Sequence, residues 1–327
     1  MGTVHVVVFS NFEGWSQPDT AENCVRWFKD CSAAHPKVRW THLYNPYHLL
    51  MGGPERPEVL ATEQSFSPYL LGLQNSKLAE IGLHIHLFYD MVASMGVEPI
   101  STPFANDVSA NCDTPQNPNN DQGYGVLMRG YSDEARSTIL DAAINSFKSR
   151  GFSLPKTFCA SYAGVDPKFQ VLLAAKGFCA SMSMQLPPSD SQLCWGRTIQ
   201  GKFSPLSGPY RVHRDTVFPR PHSSDNYLEL VEVPINLGVD ATNIDLGGAV
   251  VSREVIFDEH LRLALQHDVQ TAVTIGVHAD AIKFETWQTG HIASVLNGFL
   301  NHVDARVEEN ENSVAFSTAS EVAKNFL

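Results

Sequence analysis

The chain has 327 residues, 43% of them hydrophobic, and its 23 basic against 35 acidic residues give a net charge of −12. That is enough apolar material for a large core, and no run approaches 18 apolar residues, so no membrane span is expected. The acidic balance argues against nucleic acid or an anionic membrane as partner. The six cysteines are scattered without a CxxC pair, which predicts free, mostly buried thiols rather than a disulfide framework. The opening MGTVHVVVFSNF has no basic region and no small-residue cleavage site, and reads as a strand rather than a secretory signal. Gly2 invites myristoylation, but position 6 is Val where Ser or Thr is needed. A cytoplasmic location is the expectation.

In chain order, HVVVFSNF (5–12) predicts a strand buried on both faces. Asp19 or Thr20 can cap a helix in which Ala21, Cys24, Val25, Phe28 and Cys31 recur at helical spacing. VRWTHLY (38–44) predicts a second strand, and Ser76 to Glu80 a short helix leading into the strand IGLHIHLF. From about 100 to 131 the chain is a long excursion rich in Asn, Asp, Pro and Ser. SDEARSTILDAAINSFKSRGF predicts a helix opened by Ser132. KTFCASYAGVDP and KGFCASMSM share the tetrapeptide FCAS and flank the helix DPKFQVLLAAKG, which predicts a parallel β-α-β unit. A second excursion occupies about 185–226, followed by strands at 227–236 and 271–280 and an amphipathic helix at 286–303. The alternation predicts a parallel barrel or a doubly wound sheet, and no linker divides residues 1–327 into separate domains.

The chemistry gathers at strand ends. His84 and His86 alternate, so on a strand they point to one face. Two neutral imidazoles with a carboxylate form a usual set for zinc in a hydrolytic site. The C-terminal ends of parallel strands are where such folds bind ligands. An HxH pair alone is weak, since histidines at the mouth of a core strand are common. Glu13 in NFEGW, past the first strand, can supply the carboxylate, or be a solvated loop acid. His278 in IGVHAD ends a late strand, and is as readily a buried, satisfied histidine. Asp90 reads better as a turn residue than as a ligand.

These pieces, in order, resemble the polysaccharide deacetylases of the NodB-homology type. The resemblance runs from about Val4 to Val303 through SNFEGW, EIGLHIH, PKTFCASYAG, LLAAKGFCASMS, LCWG, GPYR, VEVPIN and IGVH. It implies an irregular (β/α)7 barrel and a metal-dependent hydrolase that removes an N-acetyl or similar acyl group from a sugar. Carried over, a divalent metal, zinc first among the candidates, would be held by Glu13, His84 and His86. His278 would be the general acid, a task that the ordinary histidine pKa of about 6.5 suits.

The family's usual spacing is His-x-x-x-His, and this chain has Phe88 there, so His86 as second ligand rests on strand geometry and on a subgroup with His-x-His; three charged positions also depart from the family pattern. The family's base aspartate falls at Ser10 and Asn11, its arginine at Cys159, and the acid that orients the late histidine near Ser181. Asn11, Glu13 and His278 are thus the catalytic candidates, with Asn11 unable to take a proton. The losses are coherent, because an arginine left without its aspartate would be a costly unpaired buried charge. Either the site is rewired around Glu13, or hydrolysis is lost and a glycan- or partner-binding barrel remains. Trp15, Tyr162, Trp195 and Tyr210 are candidates to stack on a sugar, and Arg211 and Asn236 to read its polar groups; each can equally be a packing or loop-stabilising residue. An amidohydrolase-type barrel also uses His-x-His, but on its first strand and with more histidines later. No G-x-S-x-G, P-loop or G-x-G-x-x-G occurs, so neither a serine nucleophile nor a nucleotide cofactor is expected. Cys159 and Cys179 have no evident activating partner and read as core thiols.

Overall fold

The structure is a computed structural model; it describes residues 2–13, 18–100, 126–161, 165–184, 204–220, 225–238, 244–246, 249–279, 281–282 and 284–327. Strand β1 (Thr3–Phe12) is rich in β-branched and aromatic residues and buried along almost its whole length, as a central parallel strand must be. One of its edges pairs with β11 (Gln270–His278). The other is shared: residues 4–6 pair with β12 (Val314–Phe316), and residues 8–12 with β2 (Trp40–Tyr44). Beyond β2 lie β3 (Ala79–Ile85), β4 (Thr157–Ala160), β5 (Ala180–Ser181) and β7 (Tyr227–Glu232), all parallel. β6 (Tyr210–His213) runs antiparallel along the outer edge of β7. A separate antiparallel pair is formed by β9 (Ile244–Leu246) and β10 (Ala249–Val251).

One chain segment joins the two ends of this curled sheet. After β7, Val233 and Ile235 still donate backbone bonds to Ser181 and Met184 on the β5 side. The chain passes Pro234, which lies between those two donors and so costs no rung on the β5 side. It then enters β8 (Leu237–Gly238), which pairs with β11. Asn236 fastens the crossing: its N–H donates to Thr274 Oγ1 at 2.7 Å, and its Oδ1 accepts from Thr274 N–H at 3.2 Å. The result is an irregular (β/α)7 barrel, with the bent β7–β8 segment as one of its seven parallel staves.

Alternation along the strands sorts the core into two layers. Val7, Phe9, Leu43, Cys159, Ala180, Met182, Val231, Val233 and Ala272 point inward and meet one another. Val6, Val8, Phe12, Trp40, Leu83, Phe158 and Leu230 point outward, under the helices. Those helices are α1 (Pro18–Ala34), α2 (Tyr47–Met51), α3 (Pro57–Asn75), α4 (Tyr89–Ser94), α5 (Asp133–Ser149), α6 (Pro167–Ala175), α7 (Arg253–His267) and α8 (His291–Glu309). The short α9 (Ala319–Lys324) plugs the N-terminal end of the barrel, its Ala319, Val322 and Ala323 joining the inner layer. Glu80, inward on β3, accepts from Ser320 N–H at 3.0 Å and so caps that plug. Fill is tight elsewhere inside. A Cβ on Gly276 would come within 2.0 Å of the Phe9 ring.

The β-α-β unit across the FCAS pair is present, with β4 and β5 adjacent and parallel. Ser132 Oγ caps α5 by accepting from Ala135 N–H. Other expectations shift. The short helix over Ser76–Glu80 is absent: α3 ends at Asn75, Lys77 adopts a left-handed φ of 58°, and β3 has begun by Ala79. α1 starts at Pro18, so Asp19 and Thr20 sit in its first turn rather than ahead of it. α8 starts at His291, after a turn over 286–290. β6 lies within the stretch expected to be irregular. Cys24, Cys31 and Cys159 are buried free thiols, and Cys179 is partly buried. Among the described residues, no helix is long and apolar enough to cross a membrane.

Candidate metal centre at the barrel mouth

Three strand ends deliver the site. His84 lies on β3 and His86 one residue past its end; both point inward, and their ring centroids are 4.8 Å apart. Glu13 lies one residue past β1. Its Oε1 is 3.9 Å from His84 Nε2 and 3.6 Å from His86 Nε2. One ligand atom from each of Glu13, His84 and His86 falls within 4.8 Å of the other two. His278 closes β11, opposite Asn11 in the ladder, and its Nε2 is 3.4 Å from the same Glu13 oxygen. The two β3 histidines are buried, whereas His278 is 44% exposed at the mouth.

The electrostatics favour cation binding. Burial pulls the Glu13 carboxyl upward, but His86, His84 and His278 around it outweigh that and hold it well below the usual carboxylate range. Burial pushes the His84 imidazole down, against the opposing pull of Glu13, so it is neutral at physiological pH. Its Nδ1–H donates to the Cys159 carbonyl at 3.1 Å. That bond fixes the tautomer and leaves the Nε2 lone pair facing Glu13. His84 Nε2 is buried and has no hydrogen-bond partner. A buried lone pair without a partner, a second imidazole and a carboxylate together make a donor set that fits a divalent metal such as zinc.

The departing positions divide. Asn11 shares the inward face of β1 with Phe9; its Oδ1 is buried without a hydrogen-bond partner. Cys159 also faces inward, and its backbone, not its thiol, serves the site. Burial pushes that thiol up, so it stays protonated. Ser181 lies between the inward Ala180 and Met182 and faces the helices; its Oγ donates to Ser183 Oγ at 3.1 Å. It does not join the cluster. Asp90 accepts from Met91 N–H at 2.7 Å and pairs with Arg56, a turn role rather than a ligand role.

Of the residues expected to touch a sugar, Tyr210 and Arg211 sit on β6. The Tyr210 hydroxyl donates to the Val217 carbonyl at 2.6 Å, and Arg211 donates to the Leu228 carbonyl and to Glu229. Asn236 is engaged by Thr274 and donates to the Pro205 and Ser207 carbonyls. Trp15, Tyr162 and Trp195 lie outside the described residues. Sequence reasoning passed over Asn45, whose amide reaches the backbone of both Glu13 and His86. An Asn ahead of a Pro at a strand end reads as an ordinary turn residue.

By sequence, no protein-family model matches this chain, and no curated protein does. Solved structures do match in shape. A candidate glycoside hydrolase/deacetylase from Parabacteroides distasonis aligns with a TM-score of 0.56 at 10% identity, covering 99% of this chain and 71% of that one. The two share a barrel fold. Puue allantoinase aligns with a TM-score of 0.51 at 10% identity, covering 99% of this chain and 90% of the other. At such identities the likeness carries architecture, and the barrel mouth must carry any functional reading.

Proposed function

We propose that this chain is a single-domain, metal-dependent hydrolase that removes an N-acetyl or similar acyl group from a sugar or saccharide. One observation carries the reading: Glu13, His84 and His86 converge within 4.8 Å at the C-terminal end of the barrel, with His278 beside them. Glu13, His84 and His86 would hold the metal, for which zinc suits two imidazoles and a carboxylate. When bound, it would polarise the scissile carbonyl and lower the pKa of coordinated water toward ~7. Glu13, kept as the anion, is a strong ligand and a weak base. His278 is then the group placed to move a proton toward the departing amine, since its side chain reaches the mouth and its Nε2 lies beside the Glu13 oxygen. Asn11 accepts a hydrogen bond from the substrate and takes no proton. Trp15, Tyr162 and Trp195 are proposed to stack on the sugar, and a cytoplasmic setting with no nucleic-acid or membrane partner goes with the reading.

The second reading is a barrel that binds a glycan without hydrolysing it. The neutral amide of Asn11 is what favours it, since a carboxylate there would have been a ready base.

Elemental analysis of the purified protein separates the two. Near-stoichiometric zinc or another divalent metal is expected, and its loss in the His84→Ala, His86→Ala double variant. Protein that remains metal-free even after reconstitution would exclude the hydrolase and leave the binding barrel.

A further inference from the structure

We infer that Asn45 is the positioning residue of this centre, holding the backbones that carry Glu13 and His86 in register. The inference rests on the reading of those two residues as ligands, and the observation behind it is independent of that reading. β2 lies between β1 and β3. Glu13, Asn45 and His86 each stand one residue beyond the end of their strand, on β1, β2 and β3 respectively. At that level the regular ladder has stopped, and something else must set the spacing of the three chains.

Asn45 does so in both directions. Its backbone N–H donates to the Phe12 carbonyl at 3.0 Å, extending the ladder by one rung on the β1 side. Its side-chain Nδ2 has two hydrogens and two acceptors: the Glu13 carbonyl at 3.3 Å and the His86 carbonyl at 3.5 Å. Its Oδ1 accepts from Tyr47 N–H at 3.0 Å, which fixes the plane of the amide. The side chain is wholly buried, so water does not compete for these groups. One amide thus spans from the carboxylate ligand to an imidazole ligand across the strand between them. Geometry of this kind matters to a metal, because partners behind the ligands commonly contribute about tenfold to a hundredfold in affinity. Only a group with two donors and one acceptor satisfies all three contacts, and Asn supplies them.

The test uses the full-length protein and two variants. Asn45→Asp keeps the size and the acceptor for Tyr47 but puts oxygen where the two carbonyls need a donor. Asn45→Ser is smaller, neutral and too short to span. Co2+ binding is followed by its visible absorption, and thermal unfolding is measured on metal-free protein. We expect Co2+ affinity to fall by about tenfold to a hundredfold in both variants. The ligand-field bands should also change in intensity, and the metal-free unfolding temperature should fall as well, because each variant strands buried carbonyls. A variant that binds Co2+ as tightly as wild type, with the same bands, would overturn the role of Asn45 and leave the ligand assignment standing. A weaker affinity with unchanged ligand-field bands would overturn it too, reducing Asn45 to a general fold contact. If wild type itself binds no Co2+, both the ligand assignment and this inference fall.

Discussion

The hydrolytic reading turns on which histidine does what. His84 and His86 are buried and their Nε2 atoms face a carboxylate, whereas His278 reaches the same carboxylate from an exposed position. A ligand and a proton carrier respond differently to removal. His278→Ala should therefore leave metal content unchanged while kcat falls by about 10²–10⁴. Metal lost along with activity would make His278 a fourth ligand and remove the proposed proton path. These residues are legible in sequence for a physical reason. Strand parity sends His84 and His86 to one face, and parallel topology gathers Glu13 and His278 to the same end. Asn45 is not legible, because its role depends on two backbone carbonyls brought alongside by folding. Neither is the division among the neutral positions. Only alternation within the folded strands turns Cys159 toward the site and Ser181 away from it.

Single elements also carry chemistry that the site does not use. Glu232 ends β7 and faces the helices, fully buried, with one oxygen accepting from Ser183 and Met184 N–H at 2.8 Å each. Its Oε2 has no hydrogen-bond partner. Burial pushes this carboxyl from the ordinary 4.5 up to about 7, against the pull of the Ser181 hydroxyl and the two amides. The folded chain thus holds a proton that the unfolded chain releases between those two values. The stability linked to it is complete below about pH 4.5 and is lost as the pH rises through about 7. Glu232→Gln keeps the acceptor and cannot ionise. Denaturant unfolding should find this variant more stable than wild type at about pH 8, by on the order of 3 kcal/mol, with the gap closing toward about pH 5. Parallel stability curves for the two proteins across that range would mean that Glu232 is charged in the folded state. Element by element, strands read more clearly than helices. β1 carries the apolar run Val6–Phe9 and β11 is rich in β-branched residues, whereas α3 carries Pro68 in its interior and α7 exposes Val255 and Leu265 on its solvent side, blurring the stripe.

At the scale of the whole molecule, the barrel depends on one crossing. The sheet has two edges, and the segment from β7 to β8 must leave one and meet the other within a few residues. The first ladder runs on to the bond from Ile235 N–H to the Met184 carbonyl, and Asn236 with Thr274 begins the second. Nothing in the sequence marks the two as partners, because they stand 38 residues apart. The resemblance in motif order implied a closed barrel, but not what closes it. Thr274 Oγ1 accepts from Asn236 N–H and donates to the Pro234 carbonyl, while Asn236 also reaches the Pro205 and Ser207 carbonyls. Thr274→Val keeps the shape and strands two buried backbone groups; Asn236→Ala strands the buried Thr274 N–H and takes a donor from the Ser207 carbonyl, while the Pro205 carbonyl keeps its bond to His260. Each should cost at least about 2 kcal/mol in denaturant unfolding. Because they share one knot, the double variant should cost well under the sum of the singles, by a coupling of about 0.5–3 kcal/mol. Strict additivity would show that the crossing is held by its apolar neighbours instead. The same measurement bears on the mouth, since β11 is at once the stave that receives β8 and the strand that ends in His278. Loosening the knot should therefore weaken metal binding less than it weakens catalysis, because His278 ends β11 itself, whereas Glu13, His84 and His86 stand at the ends of β1 and β3.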